Sequence, residues 1–158
     1  MIVHPIPPFC DESSKILILG SFPSVKSREQ GFFYGHKQNR FWSVIASVYG
    51  KLVPITVDDK KKLLKECKIA LWDVIGACEI EGSADNSIKN VIPNDVKGLL
   101  EKTAITKIFV NGNTAKKYYD KFLSEQTKIN AICLPSTSPA NASWTLEKLI
   151  SKWKIIKE

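Results

Sequence analysis

Paired cysteines, arginine, long apolar runs and phosphate-cradling glycine loops are all scarce in this chain. Its four cysteines (Cys10, Cys67, Cys78, Cys133) are scattered with no C-x-x-C pair. That spacing fits reduced cytoplasmic thiols better than a disulfide framework, a zinc site or an iron–sulfur cluster. No apolar stretch approaches the roughly 20 residues that cross a bilayer. The start is proline-bearing with no positively charged n-region, so no secretory signal is expected and the cytoplasm is the expected compartment. No glycine-rich or lysine cradle for phosphates appears, which argues against a flavodoxin-like phosphate binder. Arginine is limited to Arg28 and Arg40, yet lysine carries the basic total to 23 against 16 acidic residues, a formal charge of +7. That balance permits a polyanionic partner without naming one.

What the chain does have is the make-up of one globular domain over residues 1–158, 44% hydrophobic and 25% charged, with no repeat, low-complexity tract or linker. Four short aliphatic runs, 16–19, 69–72, 105–110 and 131–134, each end in punctuation: Gly20, Asp73, Asn111-Gly112 and Pro135. They read as strands buried on both faces. Helical spacing fills the gaps: Phe41, Val44, Ile45 and Val48 after a capping Asn39, then Leu63, Leu64 and Cys67 after Asp58-Asp59. Val96, Leu99 and Leu100 follow Asn94, Ala115 to Phe122 follow Asn113-Thr114, and Leu146 to Trp153 follow Ser143. Alternating strand and helix predicts an α/β fold with right-handed crossovers and a mostly parallel sheet covered on both faces. Segments 21–38 and 76–93 remain as long loops, and loops of that length in a compact domain usually carry function. Ligands of open parallel sheets bind beyond the carboxyl ends of the strands, where these loops converge.

Several residues there have chemistry to offer. Gly20 permits a sharp turn, leaving the N–H groups of Ser21, Phe22 and Ser24 to face a carbonyl or phosphate. Aromatics around Tyr34 suit a pocket for a flat ring, although Phe41 and Trp42 read as core. His36 reads as a satisfied loop histidine. The loop 134–142 is small and hydroxylated, a shape that holds phosphate oxygens without bulk. Each segment taken singly is equally well an ordinary turn.

Their order, however, resembles the uracil-DNA glycosylase superfamily, and within it the hypoxanthine-DNA glycosylase (DNA-deoxyinosine glycosylase) family. Gly20-Ser-Phe-Pro-Ser24 is similar to the first motif and Tyr34-Gly-His-Lys-Gln-Asn-Arg-Phe-Trp42 to the segment that follows it. Ala70-Leu-Trp-Asp-Val-Ile75, Gly82-Ser-Ala-Asp-Asn-Ser-Ile88 and Val110-Asn-Gly112 resemble the middle section. Leu134-Pro-Ser-Thr-Ser-Pro-Ala-Asn141 resembles the second motif. The resemblance implies a three-layer α/β/α sandwich around a four-stranded, mostly parallel sheet. It also implies a DNA glycosylase of base excision repair that needs no metal or cofactor, with double- or single-stranded DNA as partner. A monomer is expected. Phe22 stands where most of the superfamily has a water-activating Asp or Asn; the hypoxanthine branch lacks that residue too, and its catalytic asparagine matches Asn39.

The reading that follows is monofunctional hydrolysis of the N-glycosidic bond of deaminated bases, chiefly hypoxanthine. The nucleotide must leave the stack. Tyr34 or Phe22 would stack on the purine, Asp73 would accept from its N1–H, and Asn111 could add a side-chain amide. Asp85 is a competing carboxylate. Asn39 would orient water through its carbonyl. Ser24, Ser136 and Ser138 would hold flanking phosphates, and Pro139, Ala140 and Asn141 would fill the gap in the duplex. Two rivals stay open: a mismatch-type uracil/thymine glycosylase, and a non-catalytic nucleic-acid-binding module on the same fold.

Overall fold

The structure, a computed structural model, describes residues 1–158. Its centre is a parallel sheet of β2 (Ile16–Gly20), β3 (Ile69–Asp73), β6 (Lys107–Asn111) and β7 (Ile132–Leu134) in the order β3-β2-β6-β7. Beside it lies a second sheet formed by β1 (Ile2–Val3), β4 (Ile75–Glu79) and β5 (Lys89–Pro93), antiparallel throughout. The helices are α1 (Val25–Gln30), α2 (Phe41–Tyr49), α3 (Val57–Cys67), α4 (Val96–Glu101), α5 (Asn113–Phe122), α6 (Ser124–Thr127) and α7 (Leu146–Trp153).

The pleat of β2 explains the layering. Ile16 and Ile18 face one core with Phe41, Ile45, Leu64, Leu149 and Trp153 from α2, α3 and α7. Leu17 and Leu19 face the other with Val96, Ala115 and Tyr119 from α4 and α5, and with Ile75 and Cys78 from the small sheet. Every residue of β2 is buried, which is why its sequence lacks the polar alternation of a half-exposed strand. The sheet expected from the sequence is therefore present, and wholly parallel. No helix is long and apolar enough to cross a membrane.

The two expected long loops are not loops throughout. Segment 21–38 contains α1, capped by the Ser24 hydroxyl, which accepts from the Ser27 N–H. Segment 76–93 is mainly the β4–β5 hairpin, whose register slips twice, so its side-chain alternation is broken and the period-2 signal is lost. Two expected caps also move: Asp95 rather than Asn94 caps α4, and Thr145 rather than Ser143 caps α7. Helix α3 is capped by Thr56 through a capping box with Asp59, which lies with Asp58 in the first turn. In each case the working side chain is the one whose oxygen can reach the N–H three residues on.

After β2 the chain crosses to β3 on one side and later returns to β6 on the other. Strand order reverses around β2, and the crevice at such a switch point is where ligands enter an open α/β sheet. The N-terminal segment ties the two sheets together there. His4 N–H donates to the Gly76 carbonyl at 2.8 Å, and Phe9 and Leu71 exchange backbone hydrogen bonds, each at 2.9 Å.

Candidate active site

A cavity of about 390 Å³ opens at the carboxyl ends of the parallel strands. Its walls are residues 20–24 after β2, Tyr34, His36 and Asn39 before α2, Asp73 ending β3, Asn111 ending β6, and residues 136–140 after β7. Ser83, Ala84 and Asp85, from the tip of the β4–β5 hairpin, close the remaining side. Of the expected site residues, all but Asn141 line this cavity; Asn141 lines the neighbouring groove with Trp144 and Lys152.

Gly20 sets the floor. A Cβ there would stand 2.5 Å from Asp73 Oδ1 and 3.1 Å from the Tyr34 hydroxyl, so the glycine is needed for clearance. The Tyr34 hydroxyl is buried with no partner that completes a hydrogen bond. Burial first, and then the charge of Asp73, push its ionisation well above the ordinary phenol range. The Tyr34 ring stacks on Phe41 with centroids 4.0 Å apart, so only its other face is open to a base. We expect Gly20→Ala to fold but to lose about 100-fold in turnover, the cost of a roughly 1 Å displacement of reacting groups. Kinetics at constant thermal stability would check this.

Asn39 sits at the mouth of a polarised chain. The Asn111 amide donates to Thr137 Oγ1 at 3.0 Å, and the Thr137 hydroxyl donates to Asn39 Oδ1 at 2.8 Å. Asn39 Oδ1 also accepts from the Phe41 N–H at 2.9 Å. Two expectations are corrected here. Asn39 is not the N-cap of α2, since that position belongs to Arg40; it reaches the first turn from one residue further out. Its carbonyl already accepts from two donors, which uses both lone pairs, so its free end is the Nδ2 amide. Asn111 is corrected likewise: its oxygen accepts from the Thr137 N–H at 3.1 Å, so its amide braces the 136–141 loop rather than being presented whole to a ligand.

Arg40, next in the chain, holds that loop from beneath. Its guanidinium donates to the carbonyls of Trp144, Ser138 (2.9 Å) and Asn141 (3.1 Å), while its N–H donates to the Thr137 carbonyl at 3.0 Å. Within the loop, Ser136 Oγ accepts from the Ser138 N–H and Ser138 Oγ from the Ala140 N–H, each at 3.1 Å. Both hydroxyls keep their hydrogens for a ligand. Asn141 braces the loop by donating to the Ser136 carbonyl.

On the opposite wall, the N–H groups of Ser21, Phe22 and Ser24 make no hydrogen bond to the protein. The Phe22 ring is 9% exposed, with Arg28 over its face at 5.7 Å and His4 against it edge-on. It is more wall than stacking platform. Asp85 is held between Ser21 and Thr114, and burial chiefly, with some repulsion from Asp73, raises its pKa. His36 keeps its Nδ1 on the Gln38 N–H at 3.1 Å, the satisfied loop histidine expected, though it also lines the cavity. Sequence reasoning missed Thr137, Arg40 and His4. The first two lay inside the resembling motifs; His4 had no local signal at all.

A base-sized cavity at a sheet switch point, rimmed by free N–H donors, a carboxylate and a hydroxyl-rich loop, defines a DNA glycosylase when joined to the similarities that follow. Residues 7–158 match the uracil DNA glycosylase superfamily. The chain is 35% identical over 160 residues to a hypoxanthine DNA glycosylase of Methanosarcina acetivorans, covering 99% of this chain and 98% of that one. It is 36% identical over 139 residues to a hypoxanthine DNA glycosylase of Methanosarcina barkeri, covering 85% of each. A solution NMR structure from Methanosarcina acetivorans, carrying a provisional uracil DNA glycosylase assignment, superposes with a TM-score of 0.84 at 34% identity, over 99% of this chain and 97% of that one. The chain belongs to the uracil DNA glycosylase superfamily. The reading as a non-catalytic module is thereby set aside.

Proposed function

We propose that this enzyme removes hypoxanthine from deaminated DNA by hydrolysing the N-glycosidic bond of a flipped deoxyinosine, the first step of base excision repair. The observation that carries the reading is the pairing, across one cavity, of a partner-free Asp73 Oδ1 with the partner-free N–H groups of Ser21, Phe22 and Ser24. Hypoxanthine offers an N1–H donor beside the O6 acceptor. Adenine offers a ring acceptor beside an amino donor, the reverse pattern. The names of the two Methanosarcina relatives support the same base.

Extrusion places the base in the cavity, where N1–H donates to Asp73 Oδ1 and the free N–H groups donate to O6. As the glycosidic bond lengthens, electron density moves onto the purine and those donors strengthen. A donor preorganised for developing charge contributes roughly 3–4 kcal/mol. The sugar becomes cationic, so the attacking water needs placement more than activation. Asn39 supplies that placement through Nδ2, whose hydrogen donates to the water oxygen and leaves its other lone pair for the anomeric carbon. The proton that the added water sheds passes to solvent, and the departing purine anion takes one back from it. The Ser136 and Ser138 hydroxyls donate to flanking phosphates, and Pro139 and Ala140 occupy the vacated position in the stack.

A small residue such as Ala140 makes a weak wedge, so the cost of opening the duplex falls mainly on the DNA. Single-stranded and mispaired inosine should therefore be cut at least as well as paired inosine. Matched oligonucleotides carrying hypoxanthine, uracil or xanthine, treated with enzyme and then alkali, test the reading. Strand cleavage at hypoxanthine above the other two is expected. Uracil presents a comparable N3–H beside O4, and cleavage there alone would assign the cavity to pyrimidines instead. Binding should weaken steeply with salt, because lysines meet the backbone.

A further inference from the structure

The most buried charged group in the cavity is held by a part of the chain far from every motif. His4, beside β1, places Nε2 2.7 Å from Asp73 Oδ2, with the two side chains only 3% and 5% exposed. His4 Nδ1 accepts from the Ile6 N–H at 3.2 Å, so the ring hydrogen sits on Nε2 and points at the carboxylate. The ring is fixed further by edge contact with Phe22, centroids 5.7 Å apart at 89°. The His4 backbone is anchored as well, by its N–H to Gly76 and by pairing of Val3 with Ala77.

We propose that His4 is a positioning residue that fixes Asp73 to accept from a ring N–H, the edge that separates hypoxanthine from adenine. The inference rests on the base-reading role given to Asp73 above. With Oδ2 taken by a rigid donor, the carboxylate cannot turn about its last bond, and Oδ1 stays aimed over Gly20 into the cavity. Only a ring edge carrying N–H satisfies that oxygen. Deamination of adenine creates such an edge at N1, and deamination of cytosine creates one at N3. Adenine and cytosine present a lone pair there and meet the carboxylate oxygen with repulsion. Guanine N1–H and thymine N3–H would satisfy it, so this contact separates a deaminated base from its own parent and not from guanine or thymine. Sites that demand one hydrogen bond of this kind discriminate by about 10⁴–10⁵. The two prolines flanking Ile6 (Pro5 and Pro7) stiffen the segment that delivers His4.

Exchanging amides tests this, because each amide has a donor end and an acceptor end. Full-length His4→Gln, His4→Phe, Asp73→Asn and His4→Gln/Asp73→Asn would be compared in single-turnover excision of hypoxanthine, with thermal stability recorded for each. In Asp73→Asn, the His4 N–H claims the new carbonyl and turns the NH₂ toward N1–H, so excision should fall by about 100-fold or more. His4→Gln keeps an N–H at the same reach and should stay within about threefold, whereas His4→Phe should lose about tenfold. In the double variant the glutamine can offer its oxygen to the amide introduced at position 73, which then turns its own carbonyl to the base. Excision should recover about tenfold over Asp73→Asn. A double variant no better than Asp73→Asn, or His4→Gln falling as far as His4→Phe, overturns the role of His4 while leaving that of Asp73 standing. Wild-type excision by Asp73→Asn removes the base-reading carboxylate, and this inference with it.

Discussion

Replacing Asn39 by alanine is expected to reduce hypoxanthine excision by about 10²–10³, the usual loss when a single preorganised donor at the reacting centre is removed. The side chain has two separable duties. Its oxygen accepts from the Phe41 N–H and the Thr137 hydroxyl, which holds the start of α2 against the 136–141 loop. Its Nδ2 is the part left for solvent or substrate. Alanine removes both, and should also lower stability by about 1–2 kcal/mol. Asn39→Asp separates them. The carboxylate can accept from the same two donors, so folding should be close to wild type, but the amide hydrogens are gone. If Nδ2 places the water, Asn39→Asp should be as slow as Asn39→Ala. Turnover at or above the wild-type rate would instead assign the work to the oxygen side. Rates measured with saturating enzyme, alongside thermal melts, distinguish the two.

How much of this was legible beforehand follows from the range of the signals. The four parallel strands are buried on both faces, so each is a local apolar run that ends where its turn begins. The helices between them declare themselves by their spacing. The site at the strand ends then follows from topology, which is why Tyr34, Asn39, Asp73 and residues 136–140 share one cavity. The small sheet was not legible. β1 has two residues and lies among prolines, and the bulged β4–β5 pair spoils its own alternation. Hydrogen-bond direction was equally hidden. Nothing local shows that Asn39 spends its oxygen on Thr137, 98 residues away, or that Asp73 is met by His4, 69 residues earlier. Residue types announce which chemistry is present, whereas the fold decides which end of an amide remains free.

Arg40 carries the second large effect, and it falls on stability and activity together. Its guanidinium serves three backbone carbonyls of the segment 138–144, with no carboxylate paired to it. Those carbonyls belong to a loop with little regular structure, so their partners cannot be replaced by a neighbouring strand or helix. Arg40→Ala leaves them to compete for water in a partly buried setting. At about 1–3 kcal/mol for each buried group left unsatisfied, a loss of about 3–5 kcal/mol is expected, or roughly 10 °C in melting temperature for a chain of this length. Arg40→Lys should recover only part of this, because one ammonium cannot reproduce the fork of a guanidinium. The loop it releases carries Thr137, the donor to Asn39, as well as the Ser136 and Ser138 hydroxyls. Excision by Arg40→Lys should therefore fall about tenfold or more even at temperatures where the variant is fully folded. If Arg40→Lys matched the wild type in both melting temperature and turnover, the clamp would be a crossing of convenience, and the rigidity of the 136–141 loop would have to come from Asn111 and Asn141 alone.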